Sequence, residues 1–404
     1  MSHWIRPPSH HELSGCCREG HYAQHKYPNS VQALIRWKRV FTILSSRRQE
    51  SISLHVGTRI STVQRGYGAT GVSIPWDGNL GCCSTASLTL RPSFCRFWAG
   101  QDLTWPIVAR VNGITFSLFG VPNAVADITA ATTNSVTYTS SHTLIEVTAG
   151  QAKFTLDFFS PVFPGTNDYT RQSLPYSYLT VSATSTSGKS VRVQVLSGID
   201  QTWTAQNGAS GLNYTTTGKT GFFQFHNPDE IPYTELSDMA TYGSVLFGTS
   251  TTSKVSNGCG PFTSILSSFA STGSLTSSKT CSSTSLAALS ADLGTIGGSS
   301  TASITFAVGF DRVQAVNYLG NAQTGLYRSQ WPTISEAIDY FLGDYSSALS
   351  SSNAFDQQVR SKSQAVSGQF GSQYADIVEA SVRQTFGAME LTVSAREWMP
   401  THNY

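Results

Sequence analysis

Charge is scarce in this sequence. Only 12% of its 404 residues are Asp, Glu, Lys or Arg, about half of the roughly 25% usual in soluble domains. A fold built on salt-bridged surface helices is therefore not expected. Long apolar runs are missing too, and none approaches the roughly 18 residues of a membrane-spanning helix. Residues 1–30 lack the ~7–15-residue apolar stretch that follows a basic start in a signal peptide. Taken literally, the chain stays in the cell. Between residues 97 and 330 there is no GxSxG elbow, no HExxH pair and no phosphate-binding Walker loop, so the familiar signatures of serine hydrolases, zinc peptidases and P-loop enzymes do not apply.

Ser, Thr and Gly take the place of charge, as in extracellular β-rich proteins. Hydrophobic residues make up 39% and aromatics 11%, and the length is ample for a substantial core and two or three domains. Two compositions are joined. Residues 1–96 hold 12 Lys/Arg against 4 Asp/Glu, leaving 14 against 20 for the rest. Six of the nine histidines and five of the seven cysteines also precede residue 97.

This basic head (1–96) has weak periodicity and is expected to be poorly structured or mis-predicted. The run Val31–Leu44 suits a short helix, and Ser51–Val56 and Gly57–Val63 suit short strands. Cys16, Cys17, His21 and His25 offer zinc-ligand residue types, but adjacent cysteines are not a zinc knuckle. Arg36, Lys38, Arg39, Arg47 and Arg48 form a basic arm that suits a nucleic acid or anionic surface electrostatically, with no nucleic-acid-binding fold beside it. Gly66–Gly71 spells GxGxxG, yet Pro75 follows where a dinucleotide site needs a helix.

Order begins at Phe97–Trp105. Here Trp98, Asp102 and Trp105 flank or form a Gly-Gln-Asp turn, ahead of the strand-like runs Ile107–Val111 and Ile114–Phe119. Asn112-Gly113 joins those runs, a strong hairpin signal because both residues tolerate positive φ. The aromatics either fill a core or present a ligand platform. Further strands are expected at Ser135–Thr139, Thr143–Val147, Ala152–Phe158, Ser177–Ala183, Val191–Leu196, Thr220–Phe225, Ser244–Gly248 and Ala302–Val308. Many short alternating strands with Gly/Ser/Thr turns predict an antiparallel β-sandwich over 97–330. Cys259 and Cys281 bracket a Ser/Thr-rich loop and would form a disulfide in an oxidising compartment. Asn213-Tyr214-Thr215 is an N-glycosylation sequon. The acidic residues, Asp157 and Glu230 among them, are scattered. His142 and His226 have no partner at motif spacing.

The style changes at Trp331-Pro332. Thr333 and Glu336 spell a capping box, and Ile334, Ile338, Phe341 and Leu342 follow at helical spacing. A second helix is expected from Asn353 and a third from about Ser372. Isolated short helices are marginal in water, so these three are expected to bury their apolar faces poorly.

Two stretches carry a resemblance. Phe97-Trp98-Ala99-Gly100-Gln101-Asp102-Leu103-Thr104-Trp105 is one. The other runs from Ala354-Phe355-Asp356 through Tyr374-Ala375-Asp376-Ile377 to Ser381-Val382-Arg383-Gln384-Thr385-Phe386-Gly387-Ala388-Met389-Glu390-Leu391. Phe306–Gly309 with Arg312, Ala315, Tyr318 and Leu319 fits between them. Residues 97–393 thereby resemble the secreted fungal glutaminase A family. The resemblance implies a mainly β chain with C-terminal helices: an antiparallel β-sandwich followed by the first helices of an (α/α)-toroid-type domain over 331–404. It implies an extracellular hydrolase of the L-glutamine side-chain amide, truncated here and inactive as this fragment. Arg383 and Glu390 fall in the family's motif, as an active-cavity wall with Glu390 an acid or base, or as a buried polar network. No cofactor and no metal are implied. A small-molecule amide or carbohydrate is the expected ligand. Neither nucleic acid nor membrane is expected as partner, and the missing C-terminal helical domain of the same protein would complete the enzyme. The alternative is a carbohydrate- or cell-wall-binding sandwich that uses Trp98, Trp105, Trp203 and Tyr214.

Overall fold

The structure, a computed structural model, describes residues 95–96, 102–121, 125–204, 211–236, 239–252, 254–277, 281–366 and 368–394. The helix, strands, zinc-ligand set, basic arm and glycine-rich loop expected in the head lie outside the described residues. So do Trp98 and residues 395–404.

Fourteen strands build two sheets. In chain order they are β1 Ile107–Val111, β2 Ile114–Phe119, β3 Ile128–Ala130, β4 Thr132–Tyr138, β5 His142–Ala149, β6 Ala152–Phe159 and β7 Tyr176–Ser185. They continue with β8 Val191–Ile199, β9 Gly211–Thr216, β10 Thr220–His226, β11 Ser244–Ser250, β12 Val255–Gly260, β13 Leu286–Ile296 and β14 Thr301–Asp311. The six-stranded sheet has the order β12-β13-β8-β1-β2-β3, and the eight-stranded sheet β9-β10-β11-β14-β7-β6-β5-β4. All neighbours are antiparallel except β2 and β3.

Strand alternation decides which side chains meet. On β6, Ala152, Phe154, Leu156 and Phe158 turn into the space between the sheets. Val191, Val193 and Val195 of β8 meet them from the opposite sheet, with Phe223, Phe225, Phe247 and Phe306 filling the rest. Asn112 and Gly113 close the β1–β2 hairpin with φ of 50° and 88°, the mirror-image turn the dipeptide favours.

Each sheet's outer face is covered by helix. Helix α1, Phe262–Thr272, sets Ile265, Leu266 and Phe269 on Val108 and Leu196 of the six-stranded sheet. It lies within the segment between Cys259 and Cys281 that reads in sequence as a Ser/Thr-rich loop; Phe262, Ile265, Leu266 and Phe269 give it one apolar face. The disulfide between Cys259 and Cys281 joins Cα atoms 6.0 Å apart.

On the eight-stranded sheet lies α2, Ile334–Gly343, begun by the full capping box of Thr333 and Glu336. Its Ala337, Ile338, Phe341 and Leu342 are buried, against the expectation that all C-terminal helices pack poorly. Phe341 stacks on Tyr178 at 3.9 Å. Gly248 of β11 makes the approach possible, since a Cβ there would stand 2.8 Å from Ile338 Cδ1. Helix α3, Tyr345–Val366, starts well before Asn353, because the Ala/Ser-rich stretch 346–352 continues the helix. Helix α4, Gly371–Gly387, pairs with it. These two bury small or polar residues: Ala348, Ser352, Asp356 and Ser363 in α3, and Gly371, Ala375 and Glu379 in α4. Val366, Phe370, Tyr374 and Ile377 stay exposed. The strand Thr392–Ser394 then adds to the hairpin Val316–Tyr318/Asn321–Gly325.

Candidate functional site

A cleft of about 420 Å³ opens on the outer face of the eight-stranded sheet, beside the start of α2. Alternation builds it. On β9 and β10, Leu212, Phe223 and Phe225 turn inward to the core, so Thr215, Phe222 and Gln224 line the cleft from the other face. Ser244 of β11 and Asp311 of β14 continue the floor, and Thr333, Ile334 and Ser335 form the helical wall.

Asp311 anchors the floor. It accepts from the Tyr327 hydroxyl at 2.7 Å and pairs with the Arg328 guanidinium. Arg328 also donates to the Pro332 carbonyl at 2.8 Å, which fixes the entry to α2. Both charged residues are buried, at 3% and 6% exposure, and pairing offsets the cost of taking them from water. Burial and then the Asp311 charge push the Tyr176 and Tyr327 phenols far above their ordinary pKa, so both remain neutral, and Tyr327 is the one that donates to Asp311. Burial works against the Arg328 charge, but Asp311 and its neighbours outweigh it and raise the pKa. Glu230 adds an unpaired formal charge on the rim and accepts the Gly243 N–H at 2.5 Å. Gln224 donates to Ser244 Oγ at 2.9 Å. With one excess carboxylate and many hydroxyl and amide groups, the lining suits a neutral, hydroxyl- or amide-bearing ligand and disfavours anions.

A second polar centre joins the β4–β5 turn to α3 and α4. Asp356 accepts from the hydroxyls of Thr139 and Ser141, the latter at 2.7 Å. Arg383 donates to the carbonyls of Thr139 and His142 at 3.0 and 2.7 Å, and to Thr143 Oγ1 at 2.8 Å. Burial pulls its pKa down, though Asp356 opposes this. His142 pairs through Nδ1 with Asp157 at 2.8 Å and stacks on Phe159 at 4.3 Å. Its Nε2 is enclosed without a hydrogen-bond partner, as are Ser140 Oγ, Asp356 Oδ1 and Glu379 Oε1. Among the described residues His142 thus has a carboxylate partner at Nδ1 and no hydrogen-bond partner at Nε2. Arg360 bridges Glu379 and Asp376 at 2.8 and 3.1 Å.

Arg383 and Glu390 stand in different networks. Glu390 pairs with Arg312 at 2.6 Å and has its pKa raised by desolvation. Trp105 and Trp203 meet edge to face at 5.1 Å, both nearly inaccessible, with Trp203 Nε1 donating to Thr104 O at 2.8 Å. They fill the core and offer no ring face to a ligand. Asp102 sits in a two-residue strand paired with Cys95–Arg96. Tyr214 packs its ring on Phe223 at 4.8 Å. Asn213 is exposed on β9, the edge of its sheet. Sequence reasoning missed the cleft's Asp311, Arg328, Gln224 and Ser244. Glu230 drew notice only as one of the scattered acids, Thr215 as part of the sequon, and Thr333 and Ile334 as a helix start; no spacing joins residues more than a hundred positions apart into one site. Among the described residues no group of three or more His, Cys, Asp or Glu is placed to hold a metal ion, and no helix is long and apolar enough to cross a membrane.

Two mostly antiparallel sheets with helices on both outer faces, and two polar centres where the C-terminal helices meet the strands, define a helix-decorated β-sandwich protein. A family model described as a domain of unknown function (DUF5127) matches residues 141–362, over half of the chain, and the chain belongs to that family. The chain is also similar to glutaminase A of Aspergillus oryzae, 26% identical over 378 residues that cover 90% of this chain and 51% of the relative. The chain therefore spans about half the length of this relative, and its family is glutaminase-like.

Proposed function

We propose that this chain is the N-terminal portion of a secreted glutaminase A-like amidohydrolase, in which the sandwich carries the first helices of an (α/α)-toroid-type domain. The observation that supports it is the junction. Asp356, Arg383 and Glu390, which fall in the family-like motifs, are each bonded to residues of the β region or its closing turn. In this reading they hold the helices in register on the sandwich, and acid–base chemistry belongs to residues beyond this half. Hydrolysis of a carboxamide needs a positioned nucleophile or activated water and donors for the tetrahedral oxyanion. The junction supplies carbonyl and carboxylate acceptors already taken by Arg383 and Ser141.

The test is ammonia release from L-glutamine, with L-asparagine as comparison. The purified 404-residue chain is expected to release none, and the same sandwich in a chain of the relative's length is expected to be active. Turnover by the short chain, or none by the long one, rejects the proposal.

A further inference from the structure

The sequon and the cleft share one face of the sheet. On β9, Leu212 turns into the core and Tyr214 packs against it, so Asn213 and Thr215 turn outward together. Thr215 lines the cleft, and so does Gln224, the residue directly opposite Asn213 on β10. Opposed residues have Cβ atoms about 5 Å apart. Asn213 therefore stands beside two lining residues, exposed and on an edge strand with no neighbour beyond it among the described residues. The lining beside it carries Thr215, Gln224, Ser244, Glu230, Thr333 and Ser335, groups that exchange hydrogen bonds with sugar hydroxyls and acetamides. At about 420 Å³, the cleft lies within the roughly 300–1,000 Å³ of small-molecule sites.

We infer that Asn213 carries an N-linked glycan and that the cleft seats its first N-acetylhexosamine units. The inference rests on the proposal that the protein is exported. In the attachment, a bond forms between Asn213 Nδ2 and C1 of the sugar as the C1–O bond to a lipid-diphosphate donor breaks. The amide loses one proton, and the diphosphate leaves with the bonding pair.

The test has three parts. Peptide mapping of protein from the culture medium, before and after peptide N-glycosidase, is expected to show Asn213 occupied and converted to Asp on release. Exported protein with bare Asn213 overturns the inference and leaves export standing, whereas protein found only in the cytosol overturns both. Binding of free N,N′-diacetylchitobiose is then compared between the glycosylated protein and Asn213→Gln, an exposed substitution that should not disturb folding. The seat is expected to be open only in the variant, with binding at least about tenfold tighter than to the glycosylated protein. No binding to Asn213→Gln, or equal binding to both, overturns the seat; equal binding would make the cleft a site for free saccharide. Last, Gln224→Ala and Ser244→Ala keep the sequon. They are expected to keep the glycan and to weaken chitobiose binding in the Asn213→Gln background, while unchanged binding would place the sugar elsewhere.

Discussion

The two faces of the eight-stranded sheet are held by different means. Its inner face meets the other sheet through Phe154, Leu156, Phe223, Phe247 and Phe306, all essentially inaccessible. Its outer face meets α2 and the first turns of α3 (Tyr345, Ala348 and Leu349) through a similar apolar patch, but meets the rest of α3 and α4 through hydroxyls, carboxylates and Arg383. Apolar burial is non-directional and accumulates with area, so the sandwich tolerates small shifts. A hydrogen-bonded network contributes little net free energy per bond but loses much when one partner is removed. The sandwich should therefore behave as the stable unit and α3–α4 as an element fixed in place by specific contacts.

Breaking the sandwich should have the largest effect. Phe247 stacks on Phe306 at 5.5 Å, and Phe247→Ala is expected to cost about 3–5 kcal/mol, seen as a lower denaturant midpoint for the whole protein. A cost below about 1 kcal/mol would put the core elsewhere. Next comes the disulfide, which joins cysteines 22 positions apart and closes the segment holding α1. Cys281→Ser is expected to cost about 3 kcal/mol in the chain-entropy account; the same loss should follow reduction of the unmutated protein, measured as the fall in Tm.

At the polar junction, Arg383→Met should cost about 2 kcal/mol, and the loss should be local. Amide exchange is expected to rise in 371–387 and to stay unchanged in 152–159. A uniform rise would show that the helices and strands unfold as one. The smallest effect concerns pH. Burial raises the Glu379 pKa above its ordinary range even though Arg360 opposes it. The folded state then holds this proton more tightly than the unfolded state, so the contribution is most favourable below the ordinary value of about 4.3 and is lost as pH rises through the raised folded value. Exchange in α4, corrected for intrinsic rates, should be slower near pH 4.5 than at pH 7, and Glu379→Gln should abolish the difference.

Much of the sandwich was legible in sequence. Ala152–Phe158 and the Val191, Val193 and Val195 set alternate so regularly that their inward faces could be assigned without a structure. Thr333 and Glu336 marked the start of α2 because a capping box is a contact between residues three apart. Other elements were hidden. Leu286–Ile296, which pairs with both β8 and β12, reads Leu-Ala-Ala-Leu-Ser-Ala and shows neither alternation nor β-branched enrichment; two neighbouring strands and burial on both faces make it a strand. Gly211–Thr216 and Val255–Gly260 are edge strands with few apolar residues, legible only through their partners. The candidate site was less visible still, since Thr215, Ser244, Asp311 and Ser335 are polar residues of ordinary kinds until the sheet sets them side by side.

By itself the sequence determined what depends on local geometry: which strand residues share a face, where α2 begins, where the Asn112-Gly113 hairpin turns, and that Cys259 and Cys281 stand apart from the other cysteines. Those follow from bond angles and the spacing of neighbours along the chain. The tertiary structure alone decided which strands are neighbours, that Trp105 and Trp203 are buried together, that Arg383 grips the β4–β5 turn, and that Thr215, Gln224 and Asp311 line one cleft. Each of these joins segments brought together only when the whole core is excluded from water, and no local pattern records that event.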